Sequence, residues 1–234
     1  MLPSRSARFT FAPAGSNDQR AIAAGEWRVL GKPGPSAHER QASQDKKLSP
    51  TLVDEDEHPR PETSYDSLAR LRPLFEGGVV TAGNASGIND GAAALLIGSR
   101  AAGEKAGVQP MARILSAAAA GVEPRIMGVG PAYAIPKVLA RARLALADMD
   151  IIEINEAFAS QVLRCLKLLG VPFDDTRINP NGGAIAISHP LAASGARLAL
   201  TTVRELARRQ GRYAAISLCI GVGQGLAMII ERVA

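Results

Sequence analysis

The pattern of apolar and polar positions divides this chain near residue 78. Residues 1 to about 61 mix Pro, Ser, Gly, Gln and charges without a period, and Phe9, Phe11 and Trp27 stand alone. Such a stretch offers little apolar surface to bury, so loop or disorder is expected. Short helices fit at 18–24 and at 64–71, the second capped by Ser64 or Thr63. From Gly78 onward, short apolar runs alternate with amphipathic stretches. Residues 92–97 read as a buried apolar run. Ser99 caps a helix reaching Lys105, which Gly107 closes. Residues 112–118 read as strand, 136–142 as an amphipathic helix with Pro136 in its first turn, and 151–154 as strand. Residues 157–169 are helical, with Phe158, Val162, Cys165, Leu166 and Leu169 on one stripe and Gly170 at the end. Residues 183–187 read as a short buried strand and 195–210 as the longest helix. Strands at 213–220 and 226–233 are joined by the glycine turn 221–225.

This order predicts an α/β fold: a mostly parallel sheet with helices on both faces, finished by an antiparallel hairpin. In such sheets functional residues gather at strand ends. Composition narrows the picture. Aromatics make up 4% of 234 residues, so Ala, Leu, Ile and Val must fill the core. The net charge of +5 is dispersed; Arg197, Arg204, Arg208, Arg209 and Arg212 read as a solvated helix face or, as the alternative, as attraction for an anionic ligand. Nucleic-acid binding would want clustered charge with interleaved aromatics, which is not here. The two cysteines, Cys165 and Cys219, form no CxxC pair, which argues against a zinc site or a disulfide framework. No apolar run approaches a membrane span and no signal-peptide core stands at the N-terminus, so a cytoplasmic setting is expected.

Candidate chemistry sits at or just after the expected strands. His189 lies between an expected strand and the longest helix; it reads either as a structural side chain or as a base, since a helix N-terminus favours the neutral imidazole. Cys219 ends a strand and precedes Gly221, Gly223 and Gly225, whose backbone can approach a ligand and donate to an oxyanion. Cys165 reads as a core thiol on a helix stripe. Asn155 and Glu156 read either as a helix cap with a favourable dipole charge or as an amide that orients a water or carbonyl. The loop 221–225 opens a strand rather than a helix, which argues against a dinucleotide-binding reading. The glycine loop 83–87 reads as a turn or as backbone contact to a ligand.

Several motifs occur in one order: Asp56-Glu57-His58-Pro59-Arg60, the run from Val80 to Gly87, Gly121-Val122-Glu123-Pro124, Asn155-Glu156-Ala157-Phe158, Asn179-Pro180-Asn181-Gly182-Gly183, and the run from Cys219 to Gly225. From about Asp54 to Val233 this series resembles the C-terminal part of the thiolases, acyl-CoA C-acyltransferases, and within them the β-ketoadipyl-CoA and degradative 3-ketoacyl-CoA branch. Residues 27–50 show no family pattern.

The resemblance implies a layered fold of two similar halves. Residues 110–234 are then a nearly complete second half, with a mixed five-stranded sheet and helices on both faces. Residues 62–109 are the remnant of a mostly missing first half, and 1–61 a disordered or remnant loop-domain segment. It implies thiolysis of 3-ketoacyl-CoA, or the reverse condensation, with coenzyme A and acyl-CoA as substrates and no permanent cofactor or metal. His189 would activate a nucleophilic cysteine, Cys219 would move a proton, Asn155 would hold a water in one oxyanion hole and the Gly221 amide would serve another. Ala82 and Ser86 would run along the pantetheine, and Phe158 would line the pocket. A homo-oligomer or a separate N-terminal half is the implied partner.

Three departures stand out. The nucleophilic cysteine of the first half has no counterpart in Cys165 or Cys219, so the chain is expected to be truncated and inactive alone. Ser188 and Ala192 stand where the family usually has Gly. A Cβ at a site needing positive φ costs on the order of 1 kcal/mol.

Overall fold

The computed structural model describes residues 58–60 and 62–233. The expected helix at 18–24 and most of the expected loop segment lie outside these residues. Helix α1, Tyr65–Ala69, begins at Ser64, whose side chain accepts from the Ser67 amide while the Ser67 side chain returns the bond. Helix α2, Arg100–Ala106, runs from the Ser99 cap to Gly107, which takes the left-handed conformation at φ 68°. Both helices begin and end close to where their cap residues place them.

Beyond Gly107 the order is β1 (Ala112–Gly121), a 3-10 segment (Pro124–Val129), α3 (Gly130–Ala142), β2 (Ile151–Ile154), α4 (Ala159–Leu169), α5 (Ala184–Ile187), α6 (Ser194–Arg209), β3 (Tyr213–Ile220) and β4 (Gln224–Arg232). Most boundaries shift by one to three residues, and two elements differ more. Helix α3 starts at Gly130 with Pro131 in its first turn, and Pro136 is interior, on an exposed face, where it removes the bond to the Ala132 carbonyl. Residues 183–187 coil into a single helical turn, not a strand. A four-residue apolar run has too little length for its period to decide.

The sheet order is β1-β4-β3-β2. β2 pairs parallel with β3, Ile154 opposite Ser217, and β4 runs antiparallel to both β1 and β3. Thus β1, β2 and β3 share one direction and β4 is inserted against them. The sheet is mixed, as expected, but among the described residues it has four strands rather than five, with one parallel pair. Residues 183–187 add no strand, and beyond β2 a single bridge, Ile152 to Ile178, extends the sheet.

Helices cover both faces. Ile152, Ile154, Ala215 and Ile229 pack under α3 and α4 with Ile135, Val138, Val162 and Leu166. Ile151, Ala214, Ile216 and Ile230 pack under α6 with Leu198 and Leu206. Adjacent strand residues thus point to opposite cores, the period of two expected for a strand. Each such fully buried Ile or Leu contributes about 1.5–3 kcal/mol. Helix α3 comes down on the start of β4 so closely that a Cβ on Gly130 would lie 2.6 Å from the Gly225 backbone. Residues 92–97, expected to be buried, form no strand and lie open, with Leu96 89% and Ile97 69% exposed. No strand among the described residues pairs with them.

Candidate active site

The carboxyl end of β2 carries the first site residue. The Asn155 amide N–H donates to the Ser217 carbonyl at 2.9 Å, so Asn155 sits beside β3 two residues before Cys219. Its side chain is buried. Asn155 Nδ2 lies 3.2 Å from His189 Nε2, and His189 Nδ1 lies 2.6 Å from Ser194 Oγ at the start of α6. The His189 amide donates to the Gly87 carbonyl at 2.9 Å. Asn155 is no helix cap: α4 starts only at Ala159, with Phe158 in the cap position and no side-chain cap bond. The imidazole is half-buried, and its pKa is lowered from 6.5, first by that burial and then by the Arg197 charge. Arg197 is buried rather than on a solvated face, and Arg208 and Arg209 pair with buried Glu205.

Glu156 does structural work that the sequence does not announce. Its carboxylate accepts from Asn179 Nδ2 at 2.9 Å and from the Ile185 amide at 3.3 Å. Asn179 in turn accepts from the Ile154 amide at 2.8 Å and donates to the Ile154 carbonyl at 2.9 Å. The end of β2 is thereby tied to the 179–185 segment that leads to His189. Gly183 lies against the carboxylate: a Cβ there would be 2.6 Å from Glu156 Oε2. Burial pushes the Glu156 carboxyl up to about 7, against the two hydrogen bonds that favour the charged form. Ser188, next in line before His189, takes φ 81° and ψ 169°, a region occupied almost solely by glycine. Ala192 takes no positive φ, so the expected strain falls on Ser188 alone.

Cys219 and Gly221 stand at the carboxyl end of β3. Cys219 is half-buried and burial pushes its thiol up from 9.0, so the protonated form dominates at neutral pH. Gly221 has open space where a Cβ would be. Cys165 is a core thiol, as expected: fully buried on α4, donating to the Gly128 carbonyl at 3.4 Å, with its pKa raised to about 11 by burial. Cys219 lies two residues beyond Ser217, the partner of Ile154, and so stands at the same end of the sheet as Asn155.

The 82–86 loop is stitched to the start of α4. Ala85 bridges Phe158, the Ser86 amide donates to the Ala157 carbonyl at 3.0 Å, and the Ala159 amide donates to the Asn84 carbonyl at 2.9 Å. Asn84 closes the loop by accepting from the Thr81 amide at 2.8 Å and donating to the Val79 carbonyl at 2.8 Å. One strip of chain thus runs from Ala82 past Ser86 and Phe158 to the Gly87 contact with His189. Sequence reasoning had no role for Ser194 or Asn179. The signal for Asn179 was its place in the Asn-Pro-Asn-Gly-Gly motif. Ser194 offered only a hydroxyl five positions after a histidine.

Among the described residues no group of three or more His, Cys, Asp or Glu could hold a metal, and no helix is long and apolar enough to cross a membrane. The model of the thiolase C-terminal domain matches residues 108–232, and that of the thiolase N-terminal domain matches 40–101. The second match begins within the stretch 27–50, where the sequence showed no family pattern. The chain is 58% identical over 184 residues to the 3-oxoadipyl-CoA/3-oxo-5,6-dehydrosuberyl-CoA thiolase of Escherichia coli, covering 78% of this chain and 46% of that protein. Identity to the β-ketoadipyl-CoA thiolase of Pseudomonas aeruginosa is also 58%, with the same coverage. The chain spans about half the length of the curated relatives it matches. The human mitochondrial 3-ketoacyl-CoA thiolase in complex with CoA superposes with a TM-score of 0.80 at 42% identity, over 93% of this chain and 52% of that one. The Bacillus anthracis acetyl-CoA acetyltransferase gives 0.81 at 38% identity, over 93% and 53%. A domain model spanning the sheet and its helices, with solved structures that follow the same path, shows that the chain belongs to the thiolase family.

Proposed function

We propose that this chain carries the acid–base half of a thiolase-type acyl-CoA C-acyltransferase site, acting on 3-ketoacyl-CoA thioesters of the β-ketoadipyl kind. The observation that carries the reading is the His189 imidazole, held between Asn155 and Ser194 with its pKa lowered. A neutral imidazole at working pH can take a proton from a thiol. In this reading His189 is the base, Cys219 the thiol that delivers or accepts the second proton, Asn155 the amide that orients a water, and Gly221 an oxyanion donor. The strip formed by Ala82, Ser86 and Phe158 lies along the pantetheine arm of coenzyme A, which is substrate and not a permanent cofactor.

Acyl transfer also needs a nucleophilic cysteine. Cys165 is sealed in the core, and Cys219 already holds the proton-moving place. We therefore assign the nucleophile to a partner half, and expect no turnover from these 234 residues alone. Residues 110–234 are assigned as the C-terminal thiolase domain, 62–109 as part of the first half and 1–61 as loop-domain remnant. Both described cysteines are free, which suits a reducing cytoplasm.

A second reading, a non-catalytic acyl-CoA-binding module, is favoured by the intact strip from Ala82 to Phe158. Titration calorimetry with coenzyme A and acetoacetyl-CoA tests the shared part. Both ligands are expected to bind the chain without thiolysis, and Phe158→Ala is expected to weaken binding by roughly tenfold. Absence of heat with either ligand overturns both readings.

A further inference from the structure

The two ring nitrogens of His189 have different partners. Nδ1 lies 2.6 Å from the Ser194 hydroxyl and Nε2 lies 3.2 Å from Asn155 Nδ2. Ser194 is fully buried, and its hydroxyl also donates to the Pro190 carbonyl at 3.0 Å. A hydroxyl has one proton to give. With that proton on Pro190, the Ser194 oxygen faces the imidazole as an acceptor, so Nδ1 carries hydrogen. At the other edge an amide nitrogen has only hydrogens to offer. Asn155 Nδ2 can face Nε2 only where Nε2 presents its lone pair. Two partners on different elements, one at the end of β2 and one opening α6, thus demand the same form of the ring.

We propose that Ser194 is a positioning residue that holds His189 in the Nδ1–H tautomer and so reserves Nε2, the nitrogen facing Asn155, as the proton acceptor. The inference deepens the acyl-transfer reading and rests on it for its catalytic meaning. The relay Nδ1–H to Ser194 to the Pro190 carbonyl ends on a neutral group. It fixes the ring's orientation without the charge that a carboxylate partner would supply to the imidazolium. Proton uptake at Nε2 then sets an N–H against the Asn155 amide hydrogens. Turning that amide over relieves the clash, because Asn155 Oδ1 is buried and has no hydrogen-bond partner. It becomes the acceptor for Nε2–H. Arrival of the proton is thereby coupled to a flip of the Asn155 side chain.

The test is nitrogen NMR of the full chain labelled in its histidine rings. There are three histidines, and the His189 signals are those lost in His189→Gln. Above its titration midpoint, wild-type His189 is expected to show a protonated Nδ1 and a bare Nε2. Ser194→Ala is expected to shift the tautomer ratio roughly tenfold toward Nε2–H, the equivalent of one hydrogen bond. Ser194→Thr, which keeps the hydroxyl, is expected to restore the wild-type ratio. Nε2–H as the main wild-type form overturns the proposal, whether or not the variants fold. So does a folded Ser194→Ala protein with an unchanged ratio. Failure of the acyl-transfer reading shows elsewhere: as thiolysis by a reconstituted enzyme that survives His189→Ala, a rate that the spectrum does not report.

Discussion

Ser188 holds a Cβ at φ 81° and ψ 169°, one residue before the imidazole. A non-glycine residue there stores about 1–3 kcal/mol of strain, set here against one long hydrogen bond from its hydroxyl to the Gly87 carbonyl at 3.3 Å. Ser188→Gly is therefore expected to raise stability by about 1 kcal/mol in urea unfolding; a loss of stability would show that the hydroxyl outweighs the strain. Asn155 faces Nε2 at 3.2 Å. A carboxylate in its place would favour the imidazolium, so Asn155→Asp is expected to raise the His189 midpoint by roughly one pH unit in an NMR titration. An unmoved midpoint would separate the two side chains in solution. At this scale the sequence was legible where a motif marked a residue: His189 and Asn155 come from separate motifs and lie side by side. It was silent on Ser194 because that contact depends on how the 190–193 turn folds back. It misread Glu156 as a dipole charge because the true partners, Asn179 and Ile185, lie more than twenty residues away.

At the scale of elements, the segment between β2 and α6 is held by buried carboxylates. Gly183→Ala would put a methyl group 2.6 Å from Glu156 Oε2 and is expected to cost about 2–3 kcal/mol in stability, one of the larger single effects in the domain. Glu153, on β2, is pushed up to about 8, mainly by burial and also by Glu156 and Glu205, with Arg197 and Arg209 opposing; Glu156 is pushed up to about 7. Folded-state values above the unfolded 4.5 mean that the native state holds more protons than the unfolded chain between those limits. The stability contributed is full below about pH 4.5 and is lost as pH rises through 7 and 8. Unfolding free energy is thus expected to fall between pH 5 and 8, and Glu153→Gln is expected to flatten the slope by about 1 kcal/mol per pH unit. A slope untouched by the substitution would place the titration elsewhere. Element types followed from caps and periods wherever the pattern was long, as in α4, α6, β3 and β4. They failed at 183–187, where tertiary contacts to Glu156 decide, and at 92–97, where hydrophobicity alone suggested burial.

At the scale of the molecule, both faces of the sheet are covered by helices, while the described residues before β1 leave large apolar side chains in solvent. Phe75 is 75%, Val79 69%, Ile88 87% and Leu96 89% exposed, a series of large apolar side chains outside both cores. Open apolar surface of this kind drives association. Sedimentation of the isolated chain is expected to show concentration-dependent self-association that falls when Leu96 and Ile97 are changed to Ser; a concentration-independent monomer would contradict it. The α/β class and the helices on both faces were readable from alternating patterns. The strand order was not, because nothing local tells β4 to enter between β1 and β3.

The most direct test mixes this chain with a separately produced N-terminal half of a β-ketoadipyl-CoA thiolase and follows thiolysis of a 3-ketoacyl-CoA. Each part alone is expected to be inert, the mixture to turn over, and His189→Ala in this chain to cut the rate by about a hundredfold or more. An active mixture indifferent to His189→Ala, or a properly assembled mixture without turnover, would contradict the account.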